Sequence, residues 1–133
     1  MSVLLDTHVL LWWLAGGDRL SRRATAVIGS AAELFVSTIS FWEVATLERR
    51  GRIALDRPMR RWAADLLVQP RLEVAPLAPE TAIWASANLG DDFPGDPADR
   101  LIYASARALR VPLVSKDERL RSFRQDGDVD VIW

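Results

Sequence analysis

Short apolar runs that favour extended structure alternate along this chain with segments of helical periodicity. The extended runs predict strands at Val3 to Leu5, Leu34 to Ser37, Leu72 to Ala75, Val111 to Val114 and Val129 to Trp133. Helices are predicted between them at Val9 to Ala15, Ser21 to Ile28, Ser40 to Gly51, Pro58 to Leu67, from Pro79, from Asp96-Pro97 and, briefly, up to Phe123. Because strands separated by helices form parallel sheets, we expect an α/β fold with a central, mostly parallel sheet flanked by helices.

The length and composition of the chain indicate one domain. It has 133 residues, of which 50% are hydrophobic and 26% are charged. A chain of this length can bury one continuous core, whereas two full domains would not fit. We therefore expect residues 1–133 to form a single domain.

The N-terminal segment predicts neither a secretory signal nor a membrane span. No basic region precedes its apolar run, and Asp6 interrupts that run after a few residues. The chain also has no cysteine, so nothing points to an oxidising compartment. The expectation is a cytoplasmic protein without a membrane partner.

The helix predicted at Val9 to Ala15 is apolar on nearly all sides. The sheet can bury only one of its faces, which leaves the other for a second protein. The segment therefore predicts a homodimer, with Trp12 or Trp13 contacting the second subunit or another partner. In contrast, other tryptophans lie in helical patterns that predict burial in the core, namely Trp42, Trp62 and Trp84.

Several acidic residues follow strands or lie in the first turns of helices. They are Asp6, Glu43, Asp96, Asp99 and Asp117. Because ligands of parallel sheets bind at the carboxyl ends of the strands, we expect these acids to converge at that edge. With no cysteine and one histidine, His8, a metal there would have oxygen ligands, which favours Mg²⁺ or Mn²⁺ over zinc.

Each of these carboxylates also has a structural explanation as a helix cap. Three of the aspartates precede predicted helices, where Asp is a common N-cap. Ser40 and Glu43 have the spacing of a capping box. Asp96 and Asp99, however, lie on one side of a helix start and repel one another unless a cation or a shared proton intervenes. The residues alone leave both interpretations open.

Four segments of the chain closely resemble the motifs of PIN-domain ribonucleases, in particular VapC-like toxins of type II toxin–antitoxin systems. The segments are Leu4-Leu5-Asp6-Thr7-His8, Ser40-Phe41-Trp42-Glu43-Val44-Ala45, Asp96-Pro97-Ala98-Asp99-Arg100-Leu101-Ile102 and Val114-Ser115-Lys116-Asp117. The resemblance extends over nearly the whole chain in motif content and order. It implies a three-layer PIN-like fold, endonucleolytic cleavage of RNA, and neutralisation by a cognate VapB-like antitoxin.

The resemblance also implies roles for the acids. The positions that match the catalytic acids of the family are Asp6, Glu43, Asp99 and Asp117, with Asp96 as an additional acid and Ser115 as a small hydroxyl residue beside the pocket. One or two Mg²⁺ ions, or Mn²⁺ in their place, can orient a water and stabilise charge on the scissile phosphate. We hypothesise that Asp6 and Asp99 are the principal ligands, while the other acids bind the metal directly or orient its waters.

Three alternative functions share part of this pattern. A receiver-like signalling domain has an acidic pocket and a hydroxyl residue near a lysine, but the strand Leu72 to Ala75 lacks the phosphoacceptor acid after it. A phosphatase would use Asp6 as a covalent nucleophile, but its usual second Asp is replaced here by His8, which we interpret as structural. A non-catalytic module would use the acids only to cap helices or to bind an Arg-rich partner.

Overall fold

The computed structural model describes residues 1–123 and 129–133. Within these residues the chain forms five strands, β1 (Ser2–Leu5), β2 (Glu33–Ser37), β3 (Leu72–Ala75), β4 (Leu113–Val114) and β5 (Val131–Ile132). The same residues contain seven helices, α1 (Thr7–Leu14), α2 (Arg22–Ser30), α3 (Thr38–Arg49), α4 (Met59–Leu67), α5 (Pro79–Ala87), α6 (Pro97–Leu109) and α7 (Glu118–Ser122). The α/β class predicted from the alternation is confirmed, although the last two strands are shorter than predicted.

All five strands are parallel and pair in the order β3-β2-β1-β4-β5. The chain builds the sheet from β1 toward β3 and then returns to the other side of β1 to add β4 and β5. The carboxyl ends of β1 and β4 therefore lie at the point where the strand order reverses. In open α/β sheets this is where a crevice forms and ligands bind.

The core lies on both faces of the sheet, and β1 contributes to both. Val3 and Leu5 pack into one apolar cluster with residues of α1 and α2, whereas Leu4 packs into a second cluster with residues of α6. All three side chains are fully buried. Burying an aliphatic side chain of this size contributes roughly 1.5–3 kcal/mol relative to exposure, so helices on both faces hold β1 in place.

The start of α3 differs from the prediction. The helix begins at Thr38, and the side chain of Ser37 caps it by accepting a hydrogen bond from the N–H of Ile39 at 3.2 Å. Ser40 and Glu43 lie inside the helix, so the predicted capping box between them is wrong. The reason is that the last residue of β2 provides the cap, which frees both side chains for contacts with α1.

Of the three tryptophans predicted to be buried, Trp62 and Trp84 pack against the core and Trp42 does not. Trp62 is buried, and Trp84 is partly buried against the second cluster, with the guanidinium carbon of Arg107 4.1 Å from its ring centroid. Trp42, however, is 60% exposed, because it lies on the outer side of α3.

Among the helices in the described part of the chain, none has the length and apolar character needed to cross a membrane.

Candidate active site

Asp6 lies at the centre of the candidate site, directly after β1 and beside the end of β4. Its backbone N–H donates to the carbonyl of Val114 at 3.0 Å, which continues the parallel pairing for one more residue. Its carboxylate accepts the N–H of Thr7 at 2.8 Å and the hydroxyl of Ser115 at 2.7 Å. Asp6 is only 4% exposed. A charged group at this depth requires compensation, which these two donors provide only in part.

Glu43 enters the same region from α3 and is held there by hydroxyl groups. The hydroxyl of Thr7 donates to Oε1 of Glu43 at 2.5 Å and lies 2.8 Å from the hydroxyl of Ser40. Because Thr7 has one hydroxyl proton, Ser40 is the donor in the second contact. Burial raises the pKa of Glu43, the Thr7 hydrogen bond opposes this effect, and the negative charges of Asp6 and Asp96 raise the pKa further.

Asp96 and Asp99 begin α6 and bond to each other's backbone in a reciprocal capping box. Asp96 accepts the N–H of Asp99 at 2.9 Å, and Asp99 accepts the N–H of Asp96 at 3.1 Å. Burial raises the pKa of Asp99 to about 7, helped by the nearby charges of Asp6, Asp96 and Glu43 and opposed by the backbone hydrogen bond. Four predicted acids therefore share one electrostatic environment. The capping role of Asp96 and Asp99 does not exclude metal binding by the same carboxylates.

Asp117 lies at the same edge of the sheet, but its carboxylate is bonded to a cationic side chain. It caps α7, and its carboxylate accepts hydrogen bonds from the backbone and the guanidinium of Arg119. Burial acts to raise the pKa of Asp117, but the hydrogen bonds and charge of Arg119 outweigh it and hold the pKa below its usual value. Ser115 connects the two parts of the site, because its hydroxyl accepts the N–H of Asp117 and donates to Asp6.

Two residues that support Asp99 were missed in the sequence. At Gly95 a Cβ atom would lie 2.8 Å from the ring of Phe93 and 2.9 Å from Oδ2 of Asp99, so only glycine fits without displacing a neighbour. Arg100 donates to the carbonyls of Leu89 and Gly90, at 2.8 and 2.7 Å, and so anchors the loop that precedes α6. The signal for Gly95 was its position directly before the Asp96-Pro97 helix start.

The donors at this site fit a hard divalent cation. They are carboxylate and hydroxyl oxygens, and burial together with neighbouring carboxylates raises the pKa values of Glu43 and Asp99. Across residues 1–123 and 129–133, no three His, Asp or Glu side chains already form a close set of ligands. A cation bound among these carboxylates would offset their mutual repulsion.

The sequence matches the family model of the PIN domain over residues 3–125. The chain therefore belongs to the PIN-domain family. A curated relative, "Ribonuclease VapC22" of Mycobacterium tuberculosis (strain ATCC 25618 / H37Rv), is 45% identical over 130 residues, which cover 98% of each protein. The resemblance to VapC-like PIN-domain ribonucleases, predicted from the four motifs, is confirmed.

Solved structures support the fold. A toxin-antitoxin complex from Klebsiella pneumoniae matches with a TM-score of 0.67 and 19% identity, covering 98% of this chain and 96% of that one. VapBC2 from Rickettsia felis, bound to a DNA fragment from its promoter, matches with a TM-score of 0.61 and 12% identity, covering 98% and 97%. At these identities the likeness concerns the fold alone, and it agrees with the parallel sheet flanked by helices.

Proposed function

We propose that this protein is the toxin of a type II toxin–antitoxin system and acts as a Mg²⁺-dependent endoribonuclease in the cytoplasm, with residues 1–133 forming a single PIN-like domain. The observation that carries the proposal is the group of partly or fully buried carboxylates at the reversal point of the sheet, where burial and mutual repulsion raise the pKa values of Glu43 and Asp99. RNA as the substrate is supported by the 45% identical relative, which is named a ribonuclease.

Asp6 and Asp99 would be the principal metal ligands, with Glu43, Asp96 and Asp117 binding the ion directly or orienting its waters. Mg²⁺, or Mn²⁺ in its place, would lower the pKa of a bound water and neutralise charge on the scissile phosphate. The protein's own contribution is to hold the carboxylates in place, and Asp6 is held from two sides by Thr7 and Ser115. No nucleophilic side chain is needed in this reaction.

The hydroxyl groups around the acids act as positioning residues. Thr7 uses its backbone N–H for Asp6 and its hydroxyl for Glu43, so one residue sets the position of the acid that follows β1 relative to the acid on α3. Residues that orient metal ligands in this way typically change metal affinity or activity about 10- to 100-fold when they are removed. The arrangement therefore supports a site that is organised before substrate arrives.

A VapB-like antitoxin and a second copy of the chain are the proposed protein partners. The antitoxin is supported by the name of the curated relative and by the solved toxin–antitoxin complexes with this fold. The homodimer is supported by the apolar helix α1, whose Trp13 is only partly buried and whose Leu14 is 39% exposed.

The proposed function is tested by comparing Asp6→Asn with Asp56→Asn. Both changes remove one carboxylate charge, but Asp56 is exposed and bonded to Arg57 on the surface. We expect Asp6→Asn to reduce Mg²⁺-dependent RNA cleavage by on the order of 100-fold or more, because metal stabilisation of transition-state charge amounts to several kcal/mol. The 5′ ends of cleaved RNA and titration with Mn²⁺ are the measurements.

The two variants should also separate folding from function. Asp6→Asn keeps the side-chain shape and relieves repulsion, so thermal unfolding should occur at the wild-type temperature or above it. Asp56→Asn should cleave RNA and bind Mn²⁺ like the wild type. Unchanged cleavage by Asp6→Asn, or Mn²⁺ binding that neither Asp6→Asn nor Asp99→Asn weakens, would contradict the proposal.

A further inference from the structure

A second cavity adjoins the acidic site on the side of α1. Its volume is about 390 Å³, and it is lined by His8, Trp12, Lys116, Asp117 and Glu118. It lies between the first two turns of α1 and the segment that joins β4 to α7. It is wide open to solvent, so it is a shallow depression of the surface that an unpaired nucleotide can reach.

His8 connects this cavity to the acidic site. Its Nε2 accepts the backbone N–H of Lys116 at 3.1 Å, and its Nδ1 lies 3.7 Å from Oδ2 of Asp6. Because Nε2 acts as an acceptor, the ring proton is on Nδ1 and faces the Asp6 carboxylate. One ring therefore forms a wall of the cavity and at the same time borders the acid at the centre of the site, so a group bound here would be next to the reacting phosphate.

The indole of Trp12 is the largest apolar surface in the cavity wall. Its two aromatic neighbours meet it at steep angles, His8 at 4.9 Å and 63°, and Trp133 at 5.9 Å and 58°. Neither ring is stacked in parallel on the indole. The groups over the ring are the ends of two long, exposed cationic side chains, Lys116 with Nζ at 5.6 Å and Arg19 with its guanidinium carbon at 5.9 Å.

We infer that this surface binds one unpaired nucleotide of the RNA beside the scissile phosphate. Its base replaces the ends of Lys116 and Arg19 on the indole of Trp12, and these two cations bind its phosphates. The inference rests on the proposed ribonuclease function. A chain with a net charge of −1 and an acidic centre repels a polyanion, so productive binding needs local cations and a contribution that does not depend on charge. Stacking on an aromatic ring provides that contribution and requires a base that is not paired.

The cations beside the indole orient the nucleotide. The two acids in the wall already have cationic partners, since Asp117 is bonded to Arg119 at 3.1 Å and Glu118 lies 3.6 Å from Arg121. Lys116 and Arg19 lie instead at the indole, where they can bind phosphate. The phosphates therefore lie toward the two cations, and the base extends over the ring.

The test is binding of single-stranded RNA to the full-length protein carrying Asp99→Asn, which prevents cleavage during the measurement. The probes are a decamer of adenylate and a decamer of the same ribose-phosphate backbone without bases, measured by fluorescence anisotropy in Mg²⁺. Trp12→Leu and Trp12→Phe are the informative pair, because both keep an apolar side chain in the wall of the depression and only Phe keeps an aromatic face.

Trp12→Leu should weaken binding of the adenylate decamer about tenfold, and binding of the backbone without bases should not change, since stacking on one ring contributes about that factor. Trp12→Phe should retain most of the affinity. Trp42→Leu is the matched control, because Trp42 is a more exposed tryptophan on α3 and should leave both affinities unchanged.

The inference is wrong if Trp12→Leu binds adenylate like the parent protein, or if it weakens binding of both probes equally. It is also wrong if the main effect of Trp12→Leu is on dimer formation in size-exclusion chromatography or on antitoxin binding. RNA cleavage by the wild-type protein in Mg²⁺ is measured in parallel. If the wild-type protein cleaves RNA but Trp12→Leu binds the adenylate decamer like the parent protein, only this inference is wrong. If the wild-type protein does not cleave RNA, the proposed function is wrong as well.

Discussion

Carboxylates are concentrated in two parts of this molecule, and the two groups differ in what surrounds them. At the surface, Arg57 bonds to Asp56 at 2.8 Å and to Asp65 at 2.6 Å, and Arg61 bonds to Asp65 at 3.0 Å. The hydrogen bonds from Arg57 lower the pKa values of both aspartates. At the reversal point of the sheet, the pKa values of Glu43 and Asp99 are raised instead, chiefly by burial.

The difference shows what each group of acids is suited to do. Surface carboxylates that are paired with arginine are already compensated, and such pairs contribute little to stability in water. Buried carboxylates close to one another destabilise the folded chain unless an external cation binds between them. Perturbed acids in a crevice are a recognised mark of a functional site, and this contrast separates them from the surface network.

Among variants that keep every carboxylate, the largest expected effect comes from filling the space beside Asp99. In Gly95→Ala the new methyl group would overlap the Asp99 side chain and the ring of Phe93. We expect RNA cleavage to fall about 10- to 100-fold, because the change moves a metal ligand in the same way as the loss of an orienting residue. Overpacking should also lower stability by roughly 1–3 kcal/mol.

The control for this prediction is Gly29→Ala. Gly29 lies in α2, and a Cβ atom there meets nothing within 4 Å. Alanine favours helix over glycine by roughly 0.5–1 kcal/mol, so this variant should be slightly more stable and fully active. Equal activity of both variants would show that the close approach at Gly95 does not position Asp99.

A smaller effect is expected when Asp117 is changed. Its charge is already compensated by Arg119, and it is absent from the groups that raise the pKa of Asp99. Asp117→Asn should therefore weaken Mn²⁺ binding by about tenfold, as for a residue that orients a ligand or its waters. Asp99→Asn should weaken it more. Calorimetric titration measures both, and an equal loss would place Asp117 among the principal ligands.

The pH dependence of stability distinguishes the two groups of acids by sign. The pKa of Asp99 is raised from 3.8 to about 7, so the folded protein binds this proton more tightly than the unfolded chain does. Its contribution to the stability of the metal-free protein therefore falls as pH rises through that interval. Between pH 3.8 and about 7, the free energy of unfolding measured with denaturant should fall less steeply with pH for Asp99→Asn than for the wild type. Added Mg²⁺ should restore the stability of the wild type at the upper end of this range.

The surface group should give a slope of the opposite sign in a lower pH range, below the ordinary Asp pKa of 3.8. The pKa of Asp65 is lowered by its bonds to Arg57 and Arg61, so its stabilising contribution is present above the unfolded pKa and is lost as pH falls. An Asp99→Asn protein whose stability follows the wild type at every pH would contradict the assignment of an uncompensated charge to Asp99.

The smallest effect is expected for Asp65→Asn at neutral pH. The side chain is partly exposed to solvent and bonded to two arginines that are themselves exposed, and salt screens such pairs. RNA cleavage should stay at the wild-type rate, and the thermal unfolding temperature should change less than in any variant of the buried acids. A substantial loss of cleavage would mean that this network takes part in RNA binding.

The fold could be predicted to a large extent because its signals are local. The apolar runs and turns of this chain indicate strands and helices within a few residues of where they occur, and β3 matches its prediction at both ends. The start of α3 could not be assigned in this way, because Ser37 and Ser40 both suit a cap and the choice depends on α1. The exposure of Trp42 likewise depends on which side of α3 the neighbouring elements cover.

By itself, the sequence determined the kind of chemistry that is available, since a chain without cysteine and with one histidine can offer a metal mainly oxygen ligands. It also determined that acids would follow parallel strands. Only the tertiary structure decided which acids influence one another and that Asp117 is paired with Arg119 while Asp99 is not. The physical reason is that desolvation and electrostatic interaction depend on burial and distance in space, which spacing along the chain does not specify.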